Sequence, residues 1–181
     1  MNGWGFLLKC FGWKTDITVA YRDKVVICVA PHTSNWDFII GLLAYRSMGR
    51  KANFLMKEFW FFFPLKYILK GLGGIPVPRR KKGFSLTDIL IKKFNESTSL
   101  NLAITPEGTR SATSHWHTGF LHIALQAKVP IQLGVIDYAK KIVIVKEEFY
   151  PDADIEKDMQ IIKNYFSEYR LAAKYPQKFI I

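Results

Sequence analysis

Val25-Val26-Ile27-Cys28-Val29-Ala30 runs without a break into Pro31-His32-Thr33-Ser34-Asn35-Trp36-Asp37, and Phe38-Ile39-Ile40-Gly41-Leu42-Leu43-Ala44-Tyr45-Arg46-Ser47 follows. The first six residues form a continuous, largely β-branched apolar run, the signature of a strand buried on both faces. The last ten have the length and mix of a helix. Between them Ser34 offers a helix N-cap, and Asp37 then falls at the third helical position, where its carboxylate turns back toward the loop. Strand, polar loop and helix in that order open an α/β unit.

Working outward, the same alternation continues. Asn53 to Met56 reads as a second strand, Phe84 to Asn95 as an amphipathic helix, and Leu100 to Ile104 as a strand ended by Pro106. Gly119 to Lys128 reads as a helix stopped before Pro130, Ile131 to Ile136 and Lys141 to Val145 as strands, and about Asp152 to Tyr169 as a final helix. The expected fold is α/β, a mixed sheet flanked by helices, with functional loops at the strand ends. With 181 residues, no internal repeat and no low-complexity linker, the chain reads as a single domain over residues 1–181.

Hydrophobic residues make up 49% of the chain and charged residues 23%, which excludes wholesale disorder. The formal charge of +11 favours polyanions: nucleic acid, an anionic membrane surface or phosphorylated substrates. Aromatic residues reach 15% and include the unbroken run Phe59-Trp60-Phe61-Phe62-Phe63, which suits either single-stranded nucleic acid or a lipid interface. Five adjacent aromatics point all around a helix, more than one core-facing stripe needs, so Lys57 to Lys70 is read as an interfacial surface or acyl-chain lining. Residues 1–16 are read as a membrane-surface segment, with Trp4, Phe6, Leu7, Leu8, Phe11 and Trp13 as a second contact. No stretch approaches the roughly eighteen apolar residues of a spanning helix. Two cysteines, Cys10 and Cys28, argue against a disulfide framework.

His32 and Asp37 are the first candidates for chemistry. In one helix, residues five apart sit about 140° from a shared face, and fully extended they lie about 17 Å apart. A loop folding into a helix start lets them meet. An Asp accepting from one imidazole nitrogen fixes the tautomer and leaves the other nitrogen as a general base. A Ser34-x-x-Asp37 capping box explains the same aspartate without catalysis.

The second constellation is Thr105-Pro106-Glu107-Gly108-Thr109-Arg110-Ser111, directly after a predicted strand. Gly108 lets backbone amides approach an anion, and Arg110 offers a planar fork for phosphate. The string Pro-Glu-Gly-Thr-Arg is expected by chance on the order of once in ten thousand chains of this length. His115-Trp116-His117 with His122 imitates a metal cluster but lacks a supporting Cys or carboxylate, so no metal is expected. Gly71-Leu72-Gly73-Gly74 lacks the third glycine and preceding strand of a dinucleotide loop.

Taken together, these blocks resemble the PlsC-type glycerolipid acyltransferases over roughly residues 25–136. The His-x4-Asp block matches at His32 and Asp37, with Ser34 two residues after the histidine. The Gly-x5-Arg block falls on Gly73 to Arg79, the Pro-Glu-Gly-Thr-Arg block on Pro106 to Arg110, and the apolar fourth block on Val129 to Leu133. Pro31, Pro76, Pro78 and Leu133 depart from the usual pattern. The resemblance implies a glycerol-3-phosphate acyltransferase-like fold and an O-acyltransferase. The expected reaction transfers a fatty acyl group from acyl-CoA or acyl carrier protein to a lysophospholipid, foremost 1-acylglycerol-3-phosphate, in phospholipid biosynthesis. Glycerol-3-phosphate or another lysolipid is the alternative acceptor. The resemblance makes His32 and Asp37 catalytic, and Arg79, Glu107, Gly108, Thr109 and Arg110 substrate-binding. It implies no cofactor beyond the thioester co-substrate and no nucleic acid partner. It places the protein peripherally on the cytoplasmic side of a membrane, with no transmembrane helix. A basic nucleic-acid-binding module is the reading from another class, but it leaves both acyltransferase blocks to chance.

Overall fold

The computed structural model describes residues 2–77 and 85–181. Its central element is β2 (Lys24–Val29), whose interior is buried throughout. Alternate side chains serve opposite faces, as strand geometry requires. Val26 and Cys28 pack with Leu90, Phe94, Phe120 and Phe166 on one side, while Val25 and Ile27 pack with Ile17, Tyr45 and Val145 on the other. Each such side chain contributes about 1.5–3 kcal/mol of burial.

Around β2 lie β1 (Lys14–Ile17), β3 (Asn53–Lys57), β4 (Gly74–Val77), β5 (Leu100–Ile104), β6 (Ile131–Asp137) and β7 (Ile142–Phe149). Among the described residues they form one seven-stranded sheet in the order β1-β7-β6-β2-β5-β3-β4. The β6/β7 pair is antiparallel, and the other neighbours run parallel. The mixed α/β sheet expected from the sequence is therefore what forms.

Helices cover both faces. On one side, α1 (Gly3–Cys10) and α2 (Asn35–Ser47) place Leu8, Ile40, Leu43 and Ala44 against Ile136 and Val143. On the other, α4 (Leu86–Glu96), α5 (Gly119–Ala127) and α6 (Ile155–Ser167) supply Leu90, Phe94, Phe120, Ile162 and Phe166. A further helix, α3 (Leu65–Leu72), lies between β3 and β4. The chain leaving β2 thus turns to one face and the chain leaving β5 to the other. A crevice opens between two such strands at their carboxyl ends.

Among the described residues the structure adds the α-helices α1 and α3 and the strands β1 and β4 to the sequence reading. Gly73 ends α3 with φ +105, where a Cβ would stand 2.5 Å from the Ala52 carbonyl oxygen. That contact, and the left-handed backbone only glycine takes freely, account for Gly73, and at Gly74 a Cβ would come within 2.9 Å of the Leu69 carbonyl oxygen. Pro76 lies in β4, which the outer edge position permits. The expected helix start at Phe84 lies outside the described residues, as do Pro78, Arg79 and the Arg79–Lys82 basic run.

Trp13 and Leu8 correct the expectation of a wholly outward N-terminal segment. Trp13 is 8% and Leu8 4% exposed, because α1 lies on α2 and turns one side inward. Trp4, Phe6, Leu7 and Phe11 remain exposed. Among the described residues no helix is long and apolar enough to cross a membrane.

Candidate active site

The loop after β2 is shaped by the capping box legible in the sequence. Ser34 takes an extended conformation (φ −146, ψ 153) and caps α2. Its hydroxyl accepts from the Trp36 amide at 3.2 Å, and Asp37 Oδ2 accepts from the Ser34 amide at 2.9 Å. A cap of this kind stabilises a helix by about 1 kcal/mol. Here the capping carboxylate does more than cap. Asp37 Oδ2 also accepts from the Thr33 amide at 2.9 Å and meets His32 Nδ1 at 3.0 Å. Its other oxygen, Oδ1, accepts from the Tyr138 hydroxyl at 2.6 Å. Asp37 is 4% exposed, so its charge is stabilised by these donors and hardly by water.

The strand next to β2 supplies the second loop. Glu107 Oε2 accepts from the His32 amide at 2.8 Å, which ties the two motif-bearing loops together. Glu107 is 5% exposed. Burial pushes its carboxyl up to about 8, the His32 amide acts in the opposite direction, and the nearby Asp37 charge adds to the rise. Gly108 has φ +63, and a Cβ there would come within 2.7 Å of the His117 ring. Both the backbone conformation and the close approach call for glycine. The Thr109 hydroxyl accepts from the Ser111 amide at 3.1 Å. Arg110 reaches across and donates to the Asn35 side-chain oxygen at the start of α2.

His32, Asp37, Glu107, Gly108 and Arg110 are thus brought to one place, at the carboxyl ends of the adjacent strands β2 and β5. Thr109 belongs to the same turn. Arg79 lies outside the described residues. Sequence reasoning missed two participants. Asn35, which receives Arg110, is readable only as the first helical residue. Tyr138 follows β6, the strand on the other side of β2, and its only sequence signal is a phenol placed just past a strand end.

Beside this group opens a cavity of about 1,090 Å³. Among the described residues its wall is largely apolar: Leu55 and Ile104 from the strands, Leu86, Ile89 and Leu90 from α4, and Trp116, Phe120 and Ile123 from α5 and the segment before it. His32 does not line it. The cavity meets the His32 loops through Thr105 and His117, the latter in contact with Gly108. A base held by a carboxylate, a cation beside it and an apolar cavity alongside together suit proton removal from a substrate with an anionic end and a hydrocarbon end.

The family described as Acyltransferase matches residues 14–135. Among solved structures, the 1-acyl-sn-glycerophosphate (LPA) acyltransferase PlsC from Thermotoga maritima superposes with a TM-score of 0.62 at 16% identity, covering 95% of this chain and 79% of that one. At that identity the likeness speaks for the fold. Among curated proteins no relative matches.

Proposed function

Because the chain belongs to the acyltransferase family, we propose that it transfers a fatty acyl group from an acyl thioester to the free hydroxyl of a lysophospholipid at an anionic membrane surface. The observation that carries this reading is the His32 to Asp37 contact of 3.0 Å, reached through Nδ1. It leaves Nε2 without a partner among the described residues. With its proton on Nδ1, His32 takes the acceptor hydroxyl's proton on Nε2 as that oxygen attacks the thioester carbonyl carbon. The tetrahedral adduct collapses by breaking the carbon–sulfur bond, and the departing sulfur takes the proton back from His32. The products are an ester and a free thiol.

No covalent acyl-enzyme is required. Cys28 is fully buried in β2, and burial, then Glu107, hold its thiol well above the usual range, which suits packing and not nucleophilic attack. Cys10 lies exposed on α1, in an element that carries none of the motif residues.

In this reading Arg110 and Arg79 bind the acceptor's phosphate, with Gly108 and Thr109 shaping the turn around it. A planar guanidinium gives two parallel hydrogen bonds and so fixes orientation as well as charge. Glu107, expected among the substrate-binding residues, is buried and spends Oε2 on the His32 amide, so in this reading it serves the acceptor site by holding the His32 loop in place. The acyl chain occupies the neighbouring cavity. The foremost acceptor is 1-acylglycerol-3-phosphate, with acyl-CoA or acyl carrier protein as donor.

Membrane contact falls to two exposed aromatic surfaces. Phe59 and Phe63 are 78% and 76% exposed, and Tyr67 and Ile68 continue the surface along α3, beside Lys66 and Lys70. Phe61 instead turns inward toward Gly74. The outer face of α1 adds Trp4, Phe6, Leu7 and Phe11. Exposed aromatics interleaved with lysine suit an anionic lipid interface, and the +11 charge acts in the same direction. Residues 1–181 are then one acyltransferase domain, bound peripherally on the cytoplasmic side.

The test is incubation with labelled acyl thioesters and a panel of lysolipids and glycerol-3-phosphate on liposomes, with product identification. Acylated lysophospholipid is expected, and His32→Ala should lower turnover about a hundredfold or more with both KM values little changed. A folded His32→Ala protein with near-normal turnover would overturn the assignment.

A further inference from the structure

Tyr138 stands one residue past β6 and 101 positions from Asp37, yet its hydroxyl donates to Asp37 Oδ1 at 2.6 Å. That length is typical of a phenol donating to an ionised carboxylate. The arrangement divides the aspartate's labour. Oδ2 takes the Thr33 and Ser34 amides, each at 2.9 Å, and faces His32 Nδ1. Oδ1 has Tyr138 as its hydrogen-bond partner among the described residues. Contacts through one oxygen leave a carboxylate free to tilt about its own axis, and a partner on the second oxygen fixes the plane.

Tyr138 is itself held by two separate segments, one around Trp13 and one at Ala172–Lys174. Its amide donates to the Ala172 carbonyl at 2.8 Å. Its ring stands edge-on to Trp13, with centroids 5.1 Å apart at 90°. Lys174 Nζ lies 5.9 Å from the ring centroid. Burial, and then the Asp37 carboxylate, push the Tyr138 hydroxyl well up from its ordinary range, so it keeps its proton and stays a donor. Tyr138, Ala172 and Lys174 all lie beyond the residues matched by the family, which end at 135.

We propose that Tyr138 is a positioning residue of the acyl transfer, locking the Asp37 carboxylate so that His32 carries its proton on Nδ1 and presents a bare Nε2 to the acceptor. The role in turnover rests on the reaction proposed above. The geometric part does not. Without the hydroxyl, Oδ1 of a buried carboxylate loses its partner, the carboxylate turns, and His32 gains access to the tautomer with the proton on Nε2. That tautomer cannot accept a proton from the acceptor.

The experiment compares Tyr138→Phe with the native chain, both labelled with ¹⁵N-histidine, using His32→Gln to assign the resonances. The native protein should show a single neutral tautomer at His32, and Tyr138→Phe a mixture of two. In the same pair, kcat should fall about tenfold, the scale of one charge-assisted hydrogen bond, with the KM of donor and acceptor unchanged. A single tautomer in Tyr138→Phe would overturn the proposal, as would a tautomer mixture with native kcat. If the native chain transfers no acyl group, the functional reading fails while the tautomer comparison still decides the geometry. If Tyr138→Phe does not fold, 3-fluorotyrosine at position 138 serves instead. Its ¹⁹F resonance should shift when Asp37→Asn is added, and an unmoved resonance would overturn the proposal.

Discussion

Replacing Glu107 by Gln should flatten the pH dependence of stability. The native carboxyl is pushed up to about 8 from an ordinary value of 4.5. Between about pH 6 and pH 8, therefore, native Glu107 largely keeps a proton that the unfolded chain has released. Where the native state binds more protons, stability falls as pH rises. The slope approaches about 1.4 kcal/mol per pH unit while the difference is near one proton, and tapers toward the native value. Over this interval the loss is on the order of 2 kcal/mol, or about 4–8 °C in Tm for a chain of this size. Gln keeps the carbonyl that accepts the His32 amide and removes the titration. Thermal unfolding by circular dichroism, from about pH 5 to pH 9, should show the native Tm declining relative to the variant's, with the gap opening from about pH 5 and levelling off above about pH 8. Parallel curves for the two proteins would refute the argument.

Arg110→Ala should raise the acceptor's KM about ten- to hundredfold and leave the donor's unchanged, because one charge-assisted contact to phosphate contributes about 1.5–3 kcal/mol; steady-state kinetics with each substrate varied separately checks this, and Lys should rescue only in part. Phe59→Ser with Phe63→Ser should weaken sedimentation with anionic liposomes at every ionic strength, whereas Lys66→Glu with Lys70→Glu should weaken it mainly at low salt, since surface charge is screened and apolar insertion is not. Ile89→Trp narrows the cavity from its α4 side and should move donor preference toward shorter acyl chains in competition assays, with each excluded methylene costing about 0.8 kcal/mol.

The strand-loop-helix unit at residues 24–47 was legible because its signals are local: an apolar run, a capping Ser and an Asp three residues on. The meeting of His32 with Asp37 followed from the same cap geometry. What stayed hidden depends on partners distant in sequence. Within β1 (Lys-Thr-Asp-Ile), Ile17 alone is buried, so the strand exists by pairing with β7 and not by pattern. Pro76 argues against a strand at β4, and only the edge position permits one. The company of Trp4, Phe6 and Phe11 points Trp13 outward, yet packing by α2, β6 and β7 buries it. Tyr138 carries no periodicity and lies past the last motif block, so its link to Asp37 appears only once β6 is laid beside β2.

Pairing β1 with β7 also orders the folding of the chain in time. Lys14 lies opposite Ile142, a separation of 128 residues, while β6 and β7 join through a tight turn at Tyr138–Lys141. Local pairs close early, and long-range ones wait on the entropy of closing the intervening chain. At about 5–20 residues per second of synthesis, β1 emerges some 6–25 seconds before its partner exists. Throughout that interval the first strand has no edge to join, and Trp13 beside it has no complete pocket. The sheet therefore closes at its first-made margin last, and refolding experiments should find β1 amides acquiring protection from exchange after those of β6 and β7.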